Sequence, residues 1–422
     1  MSTRAVRFSC SLRSILTLAL VAIIGLGLAG AGLYAMTSIW PSLGAQSIEV
    51  LRQVFGNEAV ASFESLVFQL EDQLKQVQYQ IGGKQPQAPW VVATPVAKDA
   101  VPHATASPHL AAKPTPSPHS GQALLEPTAI PGQASTPEPP AGWQPAPVEP
   151  IGSLAGEGQW SAYLTDSSTG RVVAYRTFLE PDPARPYAII SIVAFDLQAT
   201  RLHFVLGLQE PSSPVAVKRT GAIPEADRKS GLLLAAFNGG FKTEHGHFGV
   251  SVGGVTVLPP RPDFATVAIY SDGRVQLGQW GSEIKSSPDI IAWRQNGPLL
   301  VHNGVVNPHT ADRSPQDWGY TVDGGTATWR SALGLSADGR TLYYAAGPSL
   351  TLPALAHSMA QAGTTNAMQL DINPYWTHFD AFVSVGGQLQ TEPLMAAMGA
   401  KAENRYLKPF ARDFFYVMLN TQ

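Results

Sequence analysis

The residues best suited to chemistry follow a short, mostly apolar stretch from Asn366 to Leu370, which the pattern predicts to be a buried strand. Asp371 and Asn373 come directly after it, and Pro374 ends the strand because it has no amide hydrogen to donate to a ladder. Trp376 follows and could form an aromatic wall beside the carboxylate. Such a strand end is suited to holding a sugar or a phosphate. Asp371 and Asn373 could equally cap a turn of their own backbone.

A second loop collects titratable side chains after an apolar strand that ends at Phe237. It opens with Asn238, Gly239 and Gly240, and successive amides beside glycines can approach and cradle an anion. The charged and imidazole side chains that follow are Lys242, Glu244, His245 and His247. On a strand the two histidines would point the same way, which leaves a metal pair open, although no third ligand is evident.

Two further loops carry arginine. Arg294 and Asn296 precede a Gly-Pro break, where they are either ligand groups or ordinary surface polarity. Arg330 opens a predicted strand, and its planar guanidinium could donate to a phosphate. The alternative for Arg330 is a salt bridge to a neighbouring carboxylate.

The elements that must position these loops are mainly strands. The predicted strands are Tyr187–Phe195, Arg201–Leu208, Phe264–Tyr270, Arg274–Trp280, Ser331–Ser336 and Thr341–Ala346, and two pairs of them flank Asp-Gly turns. One helix is predicted from Leu352 to Gly363, with Thr351 as its cap and Pro353 in its first turn. Residues 151–422 are therefore predicted to form one α+β domain with a mostly antiparallel mixed sheet and packed helices.

The amino terminus has the pattern of a membrane anchor. Residues 15–36 form an apolar run that follows three arginines and that, at roughly 20 residues or more, can cross a bilayer. The first charge after it is Glu49, so residues 1–14 are predicted to be a cytoplasmic tail. A cleaved secretory signal is the alternative. Both interpretations place the rest of the chain outside the cytoplasm, in a single-pass membrane protein or an exported one.

Residues 47–82 are predicted to form an amphipathic helix or a coiled-coil stalk. Apolar residues alternate in steps of three and four at Val60, Phe63, Val67, Leu70, Leu74, Val77 and Ile81. This seam allows a homodimer through residues 60–81, or a single helix that lies on the membrane or on the domain. Residues 85–150 contain 16 prolines and are predicted to be a disordered, extended linker.

The charge and cysteine content of the chain limit the classes of partner and cross-link that it can have. The chain of 422 residues has a net charge of −3 and only 14% charged residues, so no basic face for nucleic acid is expected. The single cysteine, Cys10, excludes an intramolecular disulfide. The sequence requires no cofactor, and it leaves a divalent metal ion open.

Several motifs resemble the phosphodiester glycosidase family in order and spacing. They are Ala235-Ala-Phe-Asn-Gly-Gly-Phe241, Arg330-Ser-Ala-Leu-Gly-Leu-Ser-Ala-Asp-Gly339, the Leu352–Gly363 helix and Ala367-Met-Gln-Leu-Asp371. The resemblance implies hydrolysis of a sugar–phosphate diester in a glycan or cell-envelope polymer. The family commonly has Leu-Asp-Gly-Gly-Gly-Ser where this chain has Leu370-Asp-Ile-Asn-Pro-Tyr375, a form that looks like a bacterial branch.

A hypothesis for the site follows from these motifs, because both the sugar's developing positive charge and the phosphate's negative charge need stabilising. It assigns Arg330, the Asn238–Gly240 amides and Lys242 to the phosphate, Asp371 to the role of base or metal ligand, Glu244 or His247 to acid/base catalysis and Trp376 to a sugar platform. His245, Arg294, Asn296 and Asn373 complete the predicted binding residues. The alternative function is a non-catalytic cell-wall glycan-binding protein on a membrane tether, and a weaker one is an envelope-assembly factor that works through the 60–81 helix.

Overall fold

The computed structural model describes residues 51–52, 54–82, 86–90, 142–312, 318–319, 325–399 and 404–420. The predicted anchor at 15–36 and most of the proline-rich segment lie outside these ranges. Within the described residues, no helix combines the length and the apolar character that crossing a membrane requires.

Three α-helices and eighteen strands lie in the described part of the chain. The helices are α1 (Asn57–Gln80), α2 (Leu352–Gln361) and α3 (Ala396–Gly399). The strands are β1 (Ser161–Thr165), β2 (Val172–Leu179), β3 (Ile190–Asp196), β4 (Thr200–Val205), β5 (Leu233–Asn238), β6 (Val250–Val252), β7 (Val255–Leu258), β8 (Ala265–Tyr270), β9 (Val275–Gln279), β10 (Ile290–Gln295), β11 (Leu299–His302), β12 (Val305–Val306), β13 (Thr328–Leu335), β14 (Thr341–Leu350), β15 (Asn366–Gln369), β16 (Phe379–Val385), β17 (Gln388–Pro393) and β18 (Phe414–Leu419).

The strands form three sheets. The first has the order β1-β2-β3-β14-β13-β15-β11-β12, the second β7-β6-β10-β8-β9 and the third β17-β16-β5-β18-β4. Every pairing between these named strands is antiparallel. The prediction of antiparallel sheet is therefore confirmed, while helices contribute less than the α+β prediction implied.

The first sheet is buried on both faces. Along β3, Val193 and Phe195 belong to a core shared with the third sheet, whereas Ile190 and Ile192 face the layer that contains α2. This alternation follows from the two-residue period of a strand. Aromatic rings join the first and third sheets, since Phe195 and Phe379 lie 6.4 Å apart between ring centroids. Strands buried on both faces explain why apolar residues run almost without a break here.

Several predicted boundaries shift in the structure. The strand predicted from Tyr187 begins at Ile190, and Arg330 is the third residue of β13 rather than its first. The helix predicted from Leu352 to Gly363 corresponds to α2, which ends at Gln361. As predicted, Thr351 caps it, because its hydroxyl accepts a hydrogen bond from the Ala354 amide at 3.3 Å. The domain also starts before residue 151, because Val148 is buried and the Trp160 indole donates to the Ala146 carbonyl at 2.8 Å.

Helix α1 lies against the domain and is not a free stalk. Asp72 accepts hydrogen bonds from Arg185 Nε at 2.9 Å and from the Tyr187 hydroxyl at 2.6 Å. Lys75 donates to the Ser349 hydroxyl at 3.0 Å, and Tyr79 contacts Tyr187 with ring centroids 5.0 Å apart. The helix therefore contacts the domain through both polar and apolar side chains, because Phe68 packs on the buried cluster of Phe241, Phe248 and Ile372.

Two tryptophans near the ends of the proline-rich segment, Trp90 and Trp143, pack on β2. Trp90 meets Phe178 edge-on at 5.7 Å, and the Arg176 guanidinium lies 4.4 Å from the Trp90 ring. Trp143 meets Tyr175 at 5.7 Å. One strand thus holds the residues on either side of 91–142.

Candidate active site

The ends of strands from all three sheets meet at one place. Hydrogen bonds join them: the Asp371 amide donates to the Gly239 carbonyl at 2.9 Å, and the Gly239 amide donates to the Asp413 carbonyl at 3.0 Å. The Asn296 side chain donates to the Gln369 carbonyl at 2.7 Å. The turns after β5, β10 and β15 and the segment before β18 are therefore held together as one unit.

Asp371 is the carboxylate at the centre of this unit, and it is only 5% exposed. Its Oδ2 accepts a hydrogen bond from Arg412 Nη2 at 2.6 Å, and its Oδ1 accepts one from the Ile372 amide at 3.0 Å. Burial raises the pKa of Asp371 to about 6, while the positive charge of Arg412 opposes that rise. The group is ionised at neutral pH and takes up a proton in mild acid.

Arg412 links the carboxylate to an aromatic wall. Its guanidinium carbon lies 4.8 Å from the centroid of the Trp376 ring, and its Nη2 also donates to the Gly240 carbonyl at 3.2 Å. Trp376 is half-buried and contacts Phe410 at 6.0 Å. A half-buried indole beside a buried ion pair is a surface on which a sugar ring can stack.

The loop after Gly240 brings more charge to the same place. Lys242 lies near enough to Asp371 to help lower its pKa, and Lys242 Nζ is 3.8 Å from Glu244 Oε1. Arg52, which precedes α1, places Nη1 3.1 Å from His245 Nε2. Burial lowers the pKa of His245 below its usual value.

Glu244 stays ionised in this loop. A hydrogen bond from His245 lowers the pKa of Glu244 to about 2, and the charges of Lys242 and Arg52 act in the same direction. A carboxyl group with this pKa cannot donate a proton near neutral pH. Its negative charge lies beside the nearby cations and partly balances them.

The two histidines of this loop are not side by side. Residues 243–245 form a single 3₁₀ turn, and His247 has a φ of +49° and is exposed. Because these residues do not form a strand, the two histidines do not point the same way. His245 is half-buried, while His247 faces solvent. Among the described residues, no group of three or more histidine, cysteine or acidic side chains could hold a metal ion.

Three of the predicted ligand groups form internal hydrogen bonds. The Asn238 amide side chain donates to Ser331 Oγ at 2.9 Å and accepts from the Tyr344 hydroxyl at 2.9 Å. Asn296 Oδ1 accepts from the Phe241 amide at 3.1 Å. Arg294 bonds to Asp413 Oδ2 at 2.7 Å and to the Phe241 carbonyl at 2.6 Å. These side chains hold the Gly239–Phe241 backbone in place.

The paired glycines are required by that packing. A Cβ on Gly239 would lie 2.8 Å from Asp413 Cγ, and one on Gly240 would lie 3.0 Å from the Arg294 guanidinium carbon. Among the described residues, the Gly240 amide donates to no protein group, whereas the Gly239 amide is already bonded to Asp413. Close approach to protein, more than approach to a ligand, explains both glycines.

Arg330 is completely buried and lies in a different environment from the Asp371 side chain. Its Nε donates to the Leu350 carbonyl at 2.9 Å, and its Nη2 donates to the Thr326 carbonyl at 2.9 Å. The guanidinium that the structure places on Asp371 is that of Arg412. Asn373 has a φ of +94° and accepts from the Tyr375 amide at 2.8 Å, as the alternative of a self-capped turn predicts.

Comparison with known proteins gives a family for the central part of this unit. Residues 233–371 match the sequence profile of the phosphodiester glycosidase family, and the match ends at the central carboxylate. These residues belong to the phosphodiester glycosidase family. No curated protein matches the chain.

Two solved structures are similar to parts of the chain around the phosphodiester glycosidase domain. One is the zebrafish N-acetylglucosamine-1-phosphodiester alpha-N-acetylglucosaminidase catalytic domain auto-inhibited by pro-peptide, at 14% identity and a TM-score of 0.39 over 63% of this chain and 88% of that one. The other is a hypothetical protein from Synechocystis, at 12% identity and a TM-score of 0.29 over 55% of this chain and 59% of that one.

Two residues of the site lie beyond the matched range of the phosphodiester glycosidase domain. Arg412 and Asp413 immediately precede β18, and neither was predicted from the sequence. The signal was present, because two charged residues interrupt an otherwise apolar carboxyl-terminal stretch at a strand end. That signal resembles the one at Asp371, except that the polar residues come before the strand.

Proposed function

We propose that this chain is a hydrolase that cleaves a sugar–phosphate diester, with Asp371 and Arg412 at its catalytic centre. The observation that carries the proposal is the buried Asp371–Arg412 pair, at 2.6 Å, beside the half-buried Trp376 ring. It lies at the end of a segment that belongs to the phosphodiester glycosidase family.

In the proposed reaction, water attacks the anomeric carbon of the sugar, and the bond from that carbon to the phosphate oxygen breaks. Asp371 accepts the proton of the attacking water, which requires its ionised form. With a pKa of about 6, Asp371 is mostly ionised at neutral pH and is still a useful base. The departing phosphate monoester leaves with the bonding electrons and needs little help from a general acid.

Cationic and amide groups on one side of Asp371 would hold the phosphate. Lys242 and the Gly240 amide are the described groups nearest to this role, and Arg412 adds positive charge between the carboxylate and Trp376. Glu244, with its low pKa, would position Lys242 and would not act as an acid. Trp376 would stack on the sugar ring.

The location of the enzyme and the class of its substrate are also part of this proposal. The apolar run at 15–36 supports a membrane-anchored enzyme whose domain lies outside the cytoplasm. A substrate in that setting would be a phosphorylated glycan or another cell-envelope polymer. The low charge of the chain fits a site in which a few local cations, rather than a basic surface, bind the phosphate.

The test is hydrolysis of aryl esters of glycosyl 1-phosphates by the full chain in detergent micelles, run in ¹⁸O-labelled water. Cleavage at the anomeric carbon places the label in the sugar, and cleavage at phosphorus places it in the phosphate. We expect the label in the sugar, and we expect Asp371→Asn to lower kcat at least about 100-fold because it removes the base.

Asp272→Asn is the matched control, since Asp272 is a 66% exposed aspartate in the β8–β9 turn. It should keep the wild-type rate. Label in the phosphate, or a wild-type rate in Asp371→Asn, would contradict the proposal. Binding of the esters with no sugar released would favour the non-catalytic glycan-binding protein instead.

A further inference from the structure

Helix α1 presents an apolar strip on the side that faces away from the domain. Leu70, Leu74, Val77 and Ile81 are 51%, 63%, 52% and 77% exposed. From this strip we propose that two copies of this chain pair through α1, with the two strips packed against each other. The proposal does not depend on the catalytic function.

The spacing of the strip is that of helix pairing. Its members are separated by four, three and four residues, and the same alternation continues back through the half-buried Val67 and Phe63, while Leu66 is also exposed. Apolar residues repeating every 3.5 residues on average form the seam of a two-stranded coiled coil. A helix that merely covers a globular core shows a broader apolar face.

The chain's own domain cannot cover this strip, because it already binds another side of α1. Asp72, Lys75 and Tyr79 make the contacts with Arg185, Ser349 and Tyr187. Those three residues follow one another at helical spacing, offset from the strip. The strip therefore stays exposed while the helix is docked.

The residues beside the strip favour a protein helix over a lipid surface. The exposed neighbours are the uncharged Gln69, Gln73, Gln78 and Gln80. Helices that lie on membranes carry lysine or arginine beside their apolar face, and here Lys75 is engaged with Glu71 at 2.6 Å. Two identical strips can approach each other without like charges meeting across the seam.

The dimer is expected to be weak in dilute solution. Four aliphatic side chains per helix make a surface smaller than the roughly 800 Å² per partner of a standard stable interface. Three heptads are also short for a coiled coil. Pairing should therefore depend on protein concentration.

Disulfide trapping of the full chain in detergent micelles tests the contact directly. The only native cysteine is replaced by Cys10→Ser, and Leu74→Cys is added on the strip. A parallel pair brings the two copies of residue 74 together, so mild oxidation should give a covalent dimer. Val305→Cys is the control, because Val305 is 67% exposed on β12 and is not part of the strip.

Sedimentation equilibrium with the native cysteine gives a second measurement. The double variant Leu70→Gln and Leu74→Gln should raise the dimer dissociation constant at least about tenfold, with an unchanged melting temperature because both residues are exposed. Val305→Gln should leave the dissociation constant unchanged. A wild-type monomer at all concentrations would overturn the proposal. Dimerisation that the glutamine variant does not weaken would also overturn it. Equal disulfide trapping at residues 74 and 305, or binding of the strip to lipid vesicles instead of to a second copy, would do the same.

Discussion

Two buried arginines, Arg330 and Arg412, show how differently the same side chain can be used within one domain. Arg330 is 0% exposed and Arg412 is 5% exposed, so burial alone does not separate them. Their partners do. Arg330 donates to the Leu350 and Thr326 carbonyls, whereas Arg412 donates to the Asp371 carboxylate and lies against the half-buried Trp376 ring.

The difference teaches what to look for in a buried cation. An arginine that donates to main-chain carbonyls satisfies backbone groups and joins segments, which stabilises the fold. An arginine paired with a carboxylate of raised pKa, beside a partly open aromatic ring, sits where a ligand can reach. We expect the first to act on stability and the second on activity.

The largest effect should be on stability at Arg330. Arg330→Met removes the donors to two buried carbonyls, and each unsatisfied group costs about 1–3 kcal/mol, so the free energy of unfolding should fall by about 4 kcal/mol. Urea unfolding measures this change. If Arg330→Met unfolds like the wild type and instead abolishes turnover, the contrast between the two arginines is lost.

The next effect is on the pH profile at Arg412. Burial raises the pKa of Asp371 from 3.8 to about 6, and kcat/KM should fall about tenfold per pH unit below that value because the base becomes protonated. Arg412→Met removes a charge that lowers this pKa, so the acid limb should move up by about one unit or more. Arg412→Lys, which keeps the charge, should leave the limb near pH 6.

Protonation of Asp371 should have opposite effects on activity and on stability. The native Asp371 binds a proton more tightly than the unfolded chain does, so its contribution favours folding below about pH 4 and is lost as pH rises through about 6. Loss of activity in mild acid with no loss of stability would therefore support Asp371 as the base. An acid limb that stays at pH 6 in Arg412→Met would count against the pair.

The smallest effect should be on substrate binding at Trp376. Trp376→Ala removes the ring beside Arg412, and KM should rise about tenfold with a smaller change in kcat, because a stacking contact is worth about 0.5–1.5 kcal/mol. Trp376→Phe should keep much of the effect of stacking. Steady-state kinetics on the same glycosyl phosphodiesters measure both variants, and an unchanged KM in Trp376→Ala would remove Trp376 from the binding surface.

Much of the fold was readable from local signals. The Asp-Gly turns fixed the β8–β9 and β13–β14 hairpins, and Thr351 with Pro353 fixed the start of α2. The assignment of strands to three separate sheets was not readable. It depends on contacts such as Phe195 with Phe379, between residues far apart in the chain.

The site was only partly predicted from the sequence, because it too depends on contacts between residues far apart in the chain. The strand end at Asp371 and the glycine turn at Gly239 do lie together, as their 2.9 Å hydrogen bond shows. Local sequence could not show that Arg330 would donate to buried main-chain carbonyls. Nor could it show that Asp371 would pair with Arg412, which lies 41 positions later in the chain. Which of several arginines meets a carboxylate is decided by the packing of whole sheets.

The tryptophans at 90 and 143 change what the proline-rich stretch between them can do. Both pack on β2, so the span from one to the other is set by that strand and not by the number of prolines. Adding or removing proline residues would change the length of chain between the two tryptophans while α1 stayed on its domain through Asp72 and Lys75. After a single cut between the two tryptophans, the same contacts would keep α1 bound to the domain.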